Sequence, residues 1–207
     1  MLSIVDYGMG NIRSVMNAFE LLGEKLEITD DPKKLSQSEA IILPGVGAFS
    51  DGMMNLKKKG LIEVLQKEII EKEKPYLGIC LGLEFLATKS FEGGEHGGLG
   101  WIDGEVIKIN PSDTSLKVPH MGWEDTKILK KDGLFKEIEN PTFYYLHSYF
   151  FKIDDKEKDV ITSICDYGGV PITATIQKNN IYAVQFHPEK SQTTGIKLLK
   201  NFLDGIR

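Results

Sequence analysis

Residues 75–82 read PYLGICLG. The first half of this stretch is a short apolar run typical of a buried strand, and the apolar residues of 81–87 follow a helical spacing. A strand that turns directly into a helix strains the residue at the turn, and side chains at the flanking positions would collide with the neighbouring strand and helix. Gly78 and Gly82 remove that collision. The pattern therefore predicts that Cys80 is a nucleophile held on a tight elbow.

The predicted helix begins directly after Cys80, so its positive dipole end would lie under the sulfur. We therefore expect a lowered thiol pKa, which favours the reactive thiolate. On these residues alone, the alternative is a small buried cysteine without a reaction. Cys165 fits that alternative, because it lies in a strand-like run without a flanking glycine or a nearby basic partner.

Residues 186–189 read FHPE and supply a base and a carboxylate. His187 follows an apolar strand, residues 181–186, and precedes a proline, so we expect it at the carboxyl end of that strand. Open α/β sheets place their active sites along that edge. Glu189 is near enough to accept a hydrogen bond from His187 and to fix its tautomer. Cys80, His187 and Glu189 together predict acyl transfer through a thiol.

Acyl transfer also needs donors for the developing oxyanion. The backbone N–H of Leu81 follows the nucleophile and is one donor by geometry. The second donor is expected from the segment Leu43–Gly47, which ends a predicted strand. Glycines on both sides of Val46 let its peptide point toward the hole or away from it. An ordinary strand-to-helix turn is the alternative for this segment.

The order of elements predicts an α/β fold. Strands are expected at residues 2–7, 25–29 and 40–43, and helices at 11–22, around Met53, at 61–72 and at 191–204. This alternation indicates an open, mostly parallel sheet with helices on both faces. Residues 101–185 contain β-branched and aromatic runs, which favour added antiparallel strands. A glycine-rich loop, residues 93–100, connects the halves, and one domain over residues 1–207 is expected.

Composition excludes several functions. A net charge of −5 argues against nucleic-acid binding, and a hydrophobic fraction of 41% in 207 residues suits one good core. The four histidines and two separated cysteines have no metal-ligand spacing, so neither a metal site nor a cofactor is predicted. Few cysteines, a start unlike a signal peptide and no membrane-length span lead us to expect a cytoplasmic protein.

These motifs, in this order, resemble the triad-type (class I) glutamine amidotransferases. More narrowly, the chain is similar to the glutaminase subunits of imidazole glycerol phosphate synthase. The narrower resemblance rests on the opening segment 5–11, VDYGMGN, on residues 119–123, PHMGW, and on residues 145–149, YLHSY. It extends from residue 4 to residue 203.

The resemblance implies a type-1 amidotransferase domain in which Cys80 attacks the side-chain amide of glutamine. Ammonia would pass to a (β/α)8-barrel cyclase that forms a heterodimer with this chain in histidine biosynthesis. By the same resemblance, the oxyanion hole is formed by Val46, Gly47 and Leu81. The substrate would be held by Gly45, Glu84, Ser148 and Tyr149, and the partner interface would include His120 and Trp123.

Two positions depart from the family pattern. Glu84 stands where a substrate-binding glutamine is usual, and Glu124 stands where an asparagine normally follows the tryptophan. A carboxylate at position 84 accepts a bond from the substrate ammonium but repels its α-carboxylate unless protonated. These departures leave two alternatives open. One is a paralogous glutaminase subunit that feeds a different barrel synthase, for example in sugar amidination, and the other is a non-catalytic or redox-sensing module.

Overall fold

The computed structural model describes all 207 residues, from Met1 to Arg207. One eight-stranded sheet has the order β2-β1-β3-β4-β14-β13-β12-β9, and a two-stranded and a four-stranded sheet accompany it. The strands are β1 (Leu2–Val5), β2 (Leu26–Thr29), β3 (Ile41–Gly45), β4 (Tyr76–Cys80), β5 (Lys89–Ser90), β6 (His96–Gly97), β7 (Gly104–Lys108), β8 (His120–Asp125), β9 (Lys127–Ile128), β10 (Thr142–His147), β11 (Tyr149–Ile153), β12 (Ile161–Tyr167), β13 (Val170–Lys178) and β14 (Ile181–Val184). The helices are α1 (Ile12–Glu20), α2 (Pro32–Gln37), α3 (Phe49–Lys58), α4 (Leu61–Leu65), α5 (Leu81–Glu84) and α6 (Gln192–Gly205).

The main sheet is parallel in its first five positions and antiparallel beyond them. β2, β1, β3, β4 and β14 pair in parallel, whereas β13, β12 and β9 extend the sheet in antiparallel pairing. The two smaller sheets pair β8 with β10 and β7 with β11, both antiparallel. The prediction of a mostly parallel sheet with antiparallel strands from the second half is confirmed.

Side chains that alternate along the central strands build two cores, one on each face of the main sheet. On β3, Ile42 packs with α1 and α6, whereas Ile41 and Leu43 pack with α3 and α4. Leu77 and Tyr76 on β4 divide in the same way. Helices cover both faces of the parallel strands, so neither face is exposed to water. This burial explains why the strands are continuous hydrophobic runs. Helices on both faces are therefore confirmed.

Most predicted elements exist, with shifted ends. The helix expected at 61–72 begins at Leu61 as α4 but continues as a π-helical segment, Gln66–Glu71. The helix after the elbow ends at Glu84, earlier than its apolar spacing indicated. Sequence reasoning missed α2, a short helix with Asp31 as its N-cap and proline at its first position. No helix of the chain has the length and apolar character needed to span a membrane.

The elbow is packed backbone against backbone. A Cβ atom added to Gly82 would lie 1.9 Å from the carbonyl oxygen of Leu43, and one added to Gly78 would lie 2.6 Å from the carbonyl oxygen of Gly82. Backbone atoms cannot withdraw as a flexible side chain can. Both glycines are therefore required by the close contact of α5 with β3 and β4, as the sequence predicted.

Replacing Gly82 with alanine is expected to destabilise the fold by more than about 4 kcal/mol, because the added methyl overlaps a strand carbonyl. Urea unfolding followed by circular dichroism measures the loss. Gly97→Ala is the matched control, since a Cβ there meets nothing within 4 Å, and it should change stability by less than about 0.5 kcal/mol. Equal stability of the two variants would refute the packing argument.

Candidate active site

Cys80 lies on the elbow in a strained backbone conformation. It is the last residue of β4 and directly precedes α5, with φ 54° and ψ −108°. A positive φ at a residue other than glycine costs free energy and persists only where the surrounding structure enforces it. The close packing at Gly78 and Gly82 supplies that constraint. The residue is 6% exposed, and it lines a cavity rather than lying sealed in the core.

His187 reaches the same cavity from β14. β14 lies beside β4 in parallel register, with Val184 opposite Ile79, so the chain after both strands emerges at one edge of the sheet. The backbone N–H of His187 donates to the carbonyl of Tyr144 at 2.8 Å. The hydroxyl of Ser191 donates to the carbonyl of His187 at 2.6 Å. These bonds hold the imidazole in place.

Glu189 fixes the tautomer of His187. The two atoms His187 Nδ1 and Glu189 Oε1 are 2.8 Å apart, and both side chains are buried. An ionised carboxylate only accepts hydrogen bonds, so Nδ1 carries the proton in the neutral ring. Nε2 is then a bare acceptor, and it has no hydrogen-bond partner in the chain. This arrangement suits a general base that is ready to take a proton.

The cavity has a volume of about 300 Å³. It is large enough for a small amino acid and contains no basic side chain other than its histidines. Its lining residues are Val46, Gly47, Cys80, Leu81, Glu84, Glu92, Pro119, Leu146, His147, Ser148, Tyr149 and His187. Eight of these twelve residues are predicted site residues: Val46, Gly47, Cys80, Leu81, Glu84, Ser148, Tyr149 and His187. Gly45 and Glu189 lie behind its wall.

The expectation of a lowered thiol pKa is wrong. Burial raises the pKa of Cys80 well above its usual value, and the negative charges of Glu84 and Glu189 raise it further. Hydrogen bonds from the backbone N–H of Leu81 and from Gln185 oppose this rise without cancelling it. The short helix α5 therefore does not dominate the electrostatics of the sulfur. Cys80 rests as a neutral thiol and needs a base to become a nucleophile.

The segment after β3 approaches the sulfur from the opposite side. Gly45 pairs with Cys80 in the register of β3 and β4, and Val46 and Gly47 follow it into the cavity wall. Gly47 has φ 100°, a conformation that favours glycine. A Cβ at Gly45 would lie 2.3 Å from the hydroxyl oxygen of Tyr7, so this position also needs glycine. Val46 is 39% exposed, which leaves its peptide at the mouth of the cavity.

Two carboxyl groups line the cavity. Burial raises the pKa of Glu84 to about 8. A hydrogen bond from Gln185 Nε2 to Glu84 Oε1, at 2.9 Å, acts in the opposite direction and lowers it. Glu92 accepts a hydrogen bond from the backbone N–H of Phe49 at 2.7 Å. When both groups are ionised, they give the cavity a negative potential that suits an ammonium group. Glu92 was missed by sequence reasoning, because it lies in a loop without a periodic pattern.

The structure corrects the expectation for His120. Its side chain is 2% exposed and lies between the rings of Tyr145 and Tyr167, so it is not a surface contact. His120 Nδ1 is 3.1 Å from His147 Nε2, and His147 Nδ1 is 2.7 Å from the carbonyl oxygen of Tyr149. Burial lowers the pKa of His120 to about 4 and that of His147 to about 3, so both rings are neutral at pH 7.

Neutral rings fix the direction of this hydrogen-bond chain. His147 Nδ1 donates to the carbonyl of Tyr149, and its Nε2 accepts from His120. His147 therefore supports the cavity wall. Trp123 is 47% exposed on β8 and remains available to a partner.

The family model Glutamine amidotransferase class-I matches residues 3–206. The chain belongs to the class-I glutamine amidotransferase family. Imidazole glycerol phosphate synthase subunit HisH 1 of Campylobacter jejuni is 44% identical over 203 residues, or 98% of either chain. The corresponding HisH subunit of Moorella thermoacetica is 44% identical, with 100% of this chain and 95% of that protein covered.

Solved structures share the fold of this amidotransferase. PurLQS from Thermotoga maritima has a TM-score of 0.76 at 22% identity and covers 100% of this chain. A second structure, described as a glutamine amidotransferase, has a TM-score of 0.75 at 18% identity and covers 99% of this chain. The alignments cover 98% of each of those chains. They show that this chain has the same α/β fold as those two proteins.

The raised thiol pKa of this amidotransferase predicts slow alkylation of Cys80 by iodoacetamide in the isolated chain. The rate at pH 7 should be below that of an unstructured cysteine peptide and should rise through pH 9 without a plateau, because only the thiolate reacts. Peptide mass spectrometry at each pH separates Cys80 from Cys165. A plateau below pH 8 would mean that the thiolate forms easily and would contradict the electrostatics described above.

Proposed function

We propose that the chain is the glutaminase subunit of an imidazole glycerol phosphate synthase. It hydrolyses glutamine to glutamate and supplies ammonia to a cyclase subunit in histidine biosynthesis. The observation that carries the proposal is the bare Nε2 of His187 in the same cavity as Cys80, with Glu189 bound behind the ring. The full-length similarity to HisH subunits at 42–45% identity supports the assignment of the pathway.

In this mechanism His187 removes the proton that the raised pKa keeps on the thiol. The Cys80 thiolate attacks the carbonyl carbon of the glutamine side-chain amide, and the carbonyl oxygen becomes an oxyanion. His187 then donates its proton to the leaving nitrogen, so ammonia departs and a γ-glutamyl thioester remains. Water, deprotonated by the same imidazole, hydrolyses the thioester to glutamate and restores the thiol.

The oxyanion is stabilised by the N–H of Leu81 and by the Val46–Gly47 segment. Each donor of this type contributes about 3 kcal/mol to the transition state. Val46 and Gly47 lie at the cavity mouth, and glycines flank Val46, so its peptide is free to turn. We propose that partner binding turns this peptide toward the oxyanion. Without the partner, the isolated subunit therefore has low activity.

Substrate recognition follows the charges of the cavity. The α-ammonium group of glutamine lies toward Glu84 and Glu92, the two carboxyl groups of the lining. Ser148 and Tyr149 lie on the other wall, between β10 and β11, and hold the remaining polar groups of the substrate. Gly45 pairs with Cys80 in the register of β3 and β4, and we place it beside the bound substrate.

The partner we propose is a (β/α)8-barrel cyclase that docks over the cavity mouth. Trp123 and Met121 are 47% and 65% exposed on β8, and an exposed aromatic beside an exposed methionine is typical of interface cores. The whole chain acts as one type-1 amidotransferase domain, residues 1–207. We place it in the cytoplasm, because the reaction requires Cys80 as a free thiol and both cysteines are free.

Replacing Glu189 with glutamine is expected to lower kcat for glutamine hydrolysis in the complex by at least about 100-fold. The amide keeps the shape but neither carries the charge that stabilises the imidazolium nor fixes the productive tautomer. Release of glutamate in the presence of the cyclase measures the effect. Glu95→Gln removes an exposed carboxylate and serves as the control. Turnover within twofold of the parent chain in Glu189→Gln would exclude the triad.

The pKa of Glu84, about 8, predicts a pH-dependent KM for glutamine. Binding of an ammonium group favours the carboxylate, so the bound complex has a lower Glu84 pKa than the free protein. KM should therefore fall as pH rises toward 8 and level off above it. Initial rates between pH 6 and 9 test this, and Glu84→Gln should flatten the profile. An equally steep profile in that variant would remove Glu84 from substrate recognition.

A second candidate function is the same glutaminase reaction serving another barrel synthase, for example in sugar amidination. Relatives named HisH 1 and HisH 2, the latter including one of Pseudomonas aeruginosa at 42% identity, indicate that some genomes carry two such subunits. Co-purification with each barrel synthase of the same genome, followed by glutamine-dependent product formation, separates the candidates. A redox sensor is disfavoured, because such sensors need a low thiol pKa.

A further inference from the structure

We propose that Gln185 is a positioning residue that couples the carboxylate of Glu84 to the sulfur of Cys80. The inference deepens the proposed function and rests on it for its catalytic meaning. Gln185 directly follows β14 and is completely buried. Its Nε2 lies 2.9 Å from Glu84 Oε1 and 3.9 Å from Cys80 Sγ. One amide group therefore bridges the substrate-binding carboxyl and the nucleophile.

The amide directs its donors to the Glu84 carboxyl and the Cys80 thiol. Once ionised, both groups can accept hydrogen bonds but cannot donate them. An NH2 group has two hydrogens, one for the carboxylate and one for the thiolate. The opposite atom, Gln185 Oε1, is buried and has no hydrogen-bond partner. Leaving a buried carbonyl without a partner costs free energy. The hydrogen bonds that Nε2 donates to Glu84 and Cys80 must therefore hold the amide in this orientation. An ionised Glu84 supplies the stronger of those two bonds and fixes the amide with its donors toward the sulfur.

Protonation of Glu84 weakens this arrangement. A neutral carboxyl group can donate to Gln185 Oε1, which favours the turned amide and places an acceptor beside the thiol. The sulfur then keeps its proton. The unpaired charge of a Glu84 carboxylate raises the pKa of Cys80. The ammonium group of glutamine favours that carboxylate and neutralises its charge, so the amide is held with its donors toward the sulfur while the repulsion of the thiolate is removed. Substrate binding is in this way transmitted to the nucleophile through one side chain.

Other charged groups near the bridge do not replace it. The remaining titratable groups that face Cys80 or Glu84 are Tyr7, Glu92, Glu189 and the general base His187. Glu92 and Glu189 are acceptors when ionised, and both raise the pKa of the group they face. The buried hydroxyl of Tyr7 has no hydrogen-bond partner. Gln185 is the side chain that donates to both Glu84 and Cys80.

The test is a double-mutant cycle on Cys80 alkylation in the full chain. Gln185→Met keeps the length of the side chain and removes both donors. At pH 9, where Glu84 is ionised, it should slow alkylation about tenfold in the chain that keeps Glu84, the equivalent of one charge-assisted hydrogen bond. In the Glu84→Gln background the same change should slow alkylation less than about twofold, because the carboxylate no longer fixes the amide. Gln177→Met, at a half-buried position on β13, is the control and should change nothing.

An equal slowing in both backgrounds would show that Gln185 acts on the thiol without Glu84 and would overturn the coupling. No slowing in either would overturn the bridge. If Gln185→Met fails to fold, nitrogen-15 NMR of the parent chain decides. The side-chain NH2 signals of Gln185 should titrate with a midpoint near pH 8 and lose that step in Glu84→Gln. A pH-independent signal would refute the proposal.

Neither measurement requires glutamine or a partner, so the two proposals fail separately. If the cycle shows coupling but the complex releases no glutamate, the bridge stands and the glutaminase function is wrong. If glutamate is released without coupling, the function stands and the bridge is wrong. In the active complex, Gln185→Met should lower kcat more than it raises KM, which a role in packing alone would not produce.

Discussion

The contact on which the structure depends is the approach of the elbow backbone to the end of β3. Where the Leu43 carbonyl meets Gly82 there is no room for a Cβ atom, so strand, turn and helix are held as one rigid unit. That rigidity keeps Cys80 at φ 54° and directs its sulfur into the cavity. The same packing places Gly45 against Tyr7.

Around this fixed sulfur, the site is built from groups that favour a neutral resting state. Burial and two carboxyl groups keep the proton on Cys80, and burial keeps His147 and His120 neutral. A protein that carried a permanent thiolate would be open to oxidation and side reactions. In the mechanism we propose, His187 generates the nucleophile, and its bare Nε2 is available because Glu189 binds the other nitrogen.

The sequence predicts those features that depend on local backbone geometry. The glycines at 78 and 82, the Cys80 elbow and the His187 strand end follow from steric and periodic rules, and the structure has each of them. The thiol pKa could not be predicted, because it depends on Glu84 and Glu189, which only the fold brings near the sulfur. The burial of His120 depends on Tyr167, which is 47 residues farther along the chain and was equally beyond local reasoning.

In the proposed reaction, Cys80 is the nucleophile that attacks a glutamine side chain. A glutamine analogue with a diazoketone in place of the side-chain amide alkylates such an activated thiol. Mass spectrometry of the complex should find one label, on Cys80, and glutamine should protect against it. Slower labelling in His187→Asn would confirm that the imidazole activates the sulfur. A label on another residue, or labelling of Cys80 without protection by glutamine, would contradict the account.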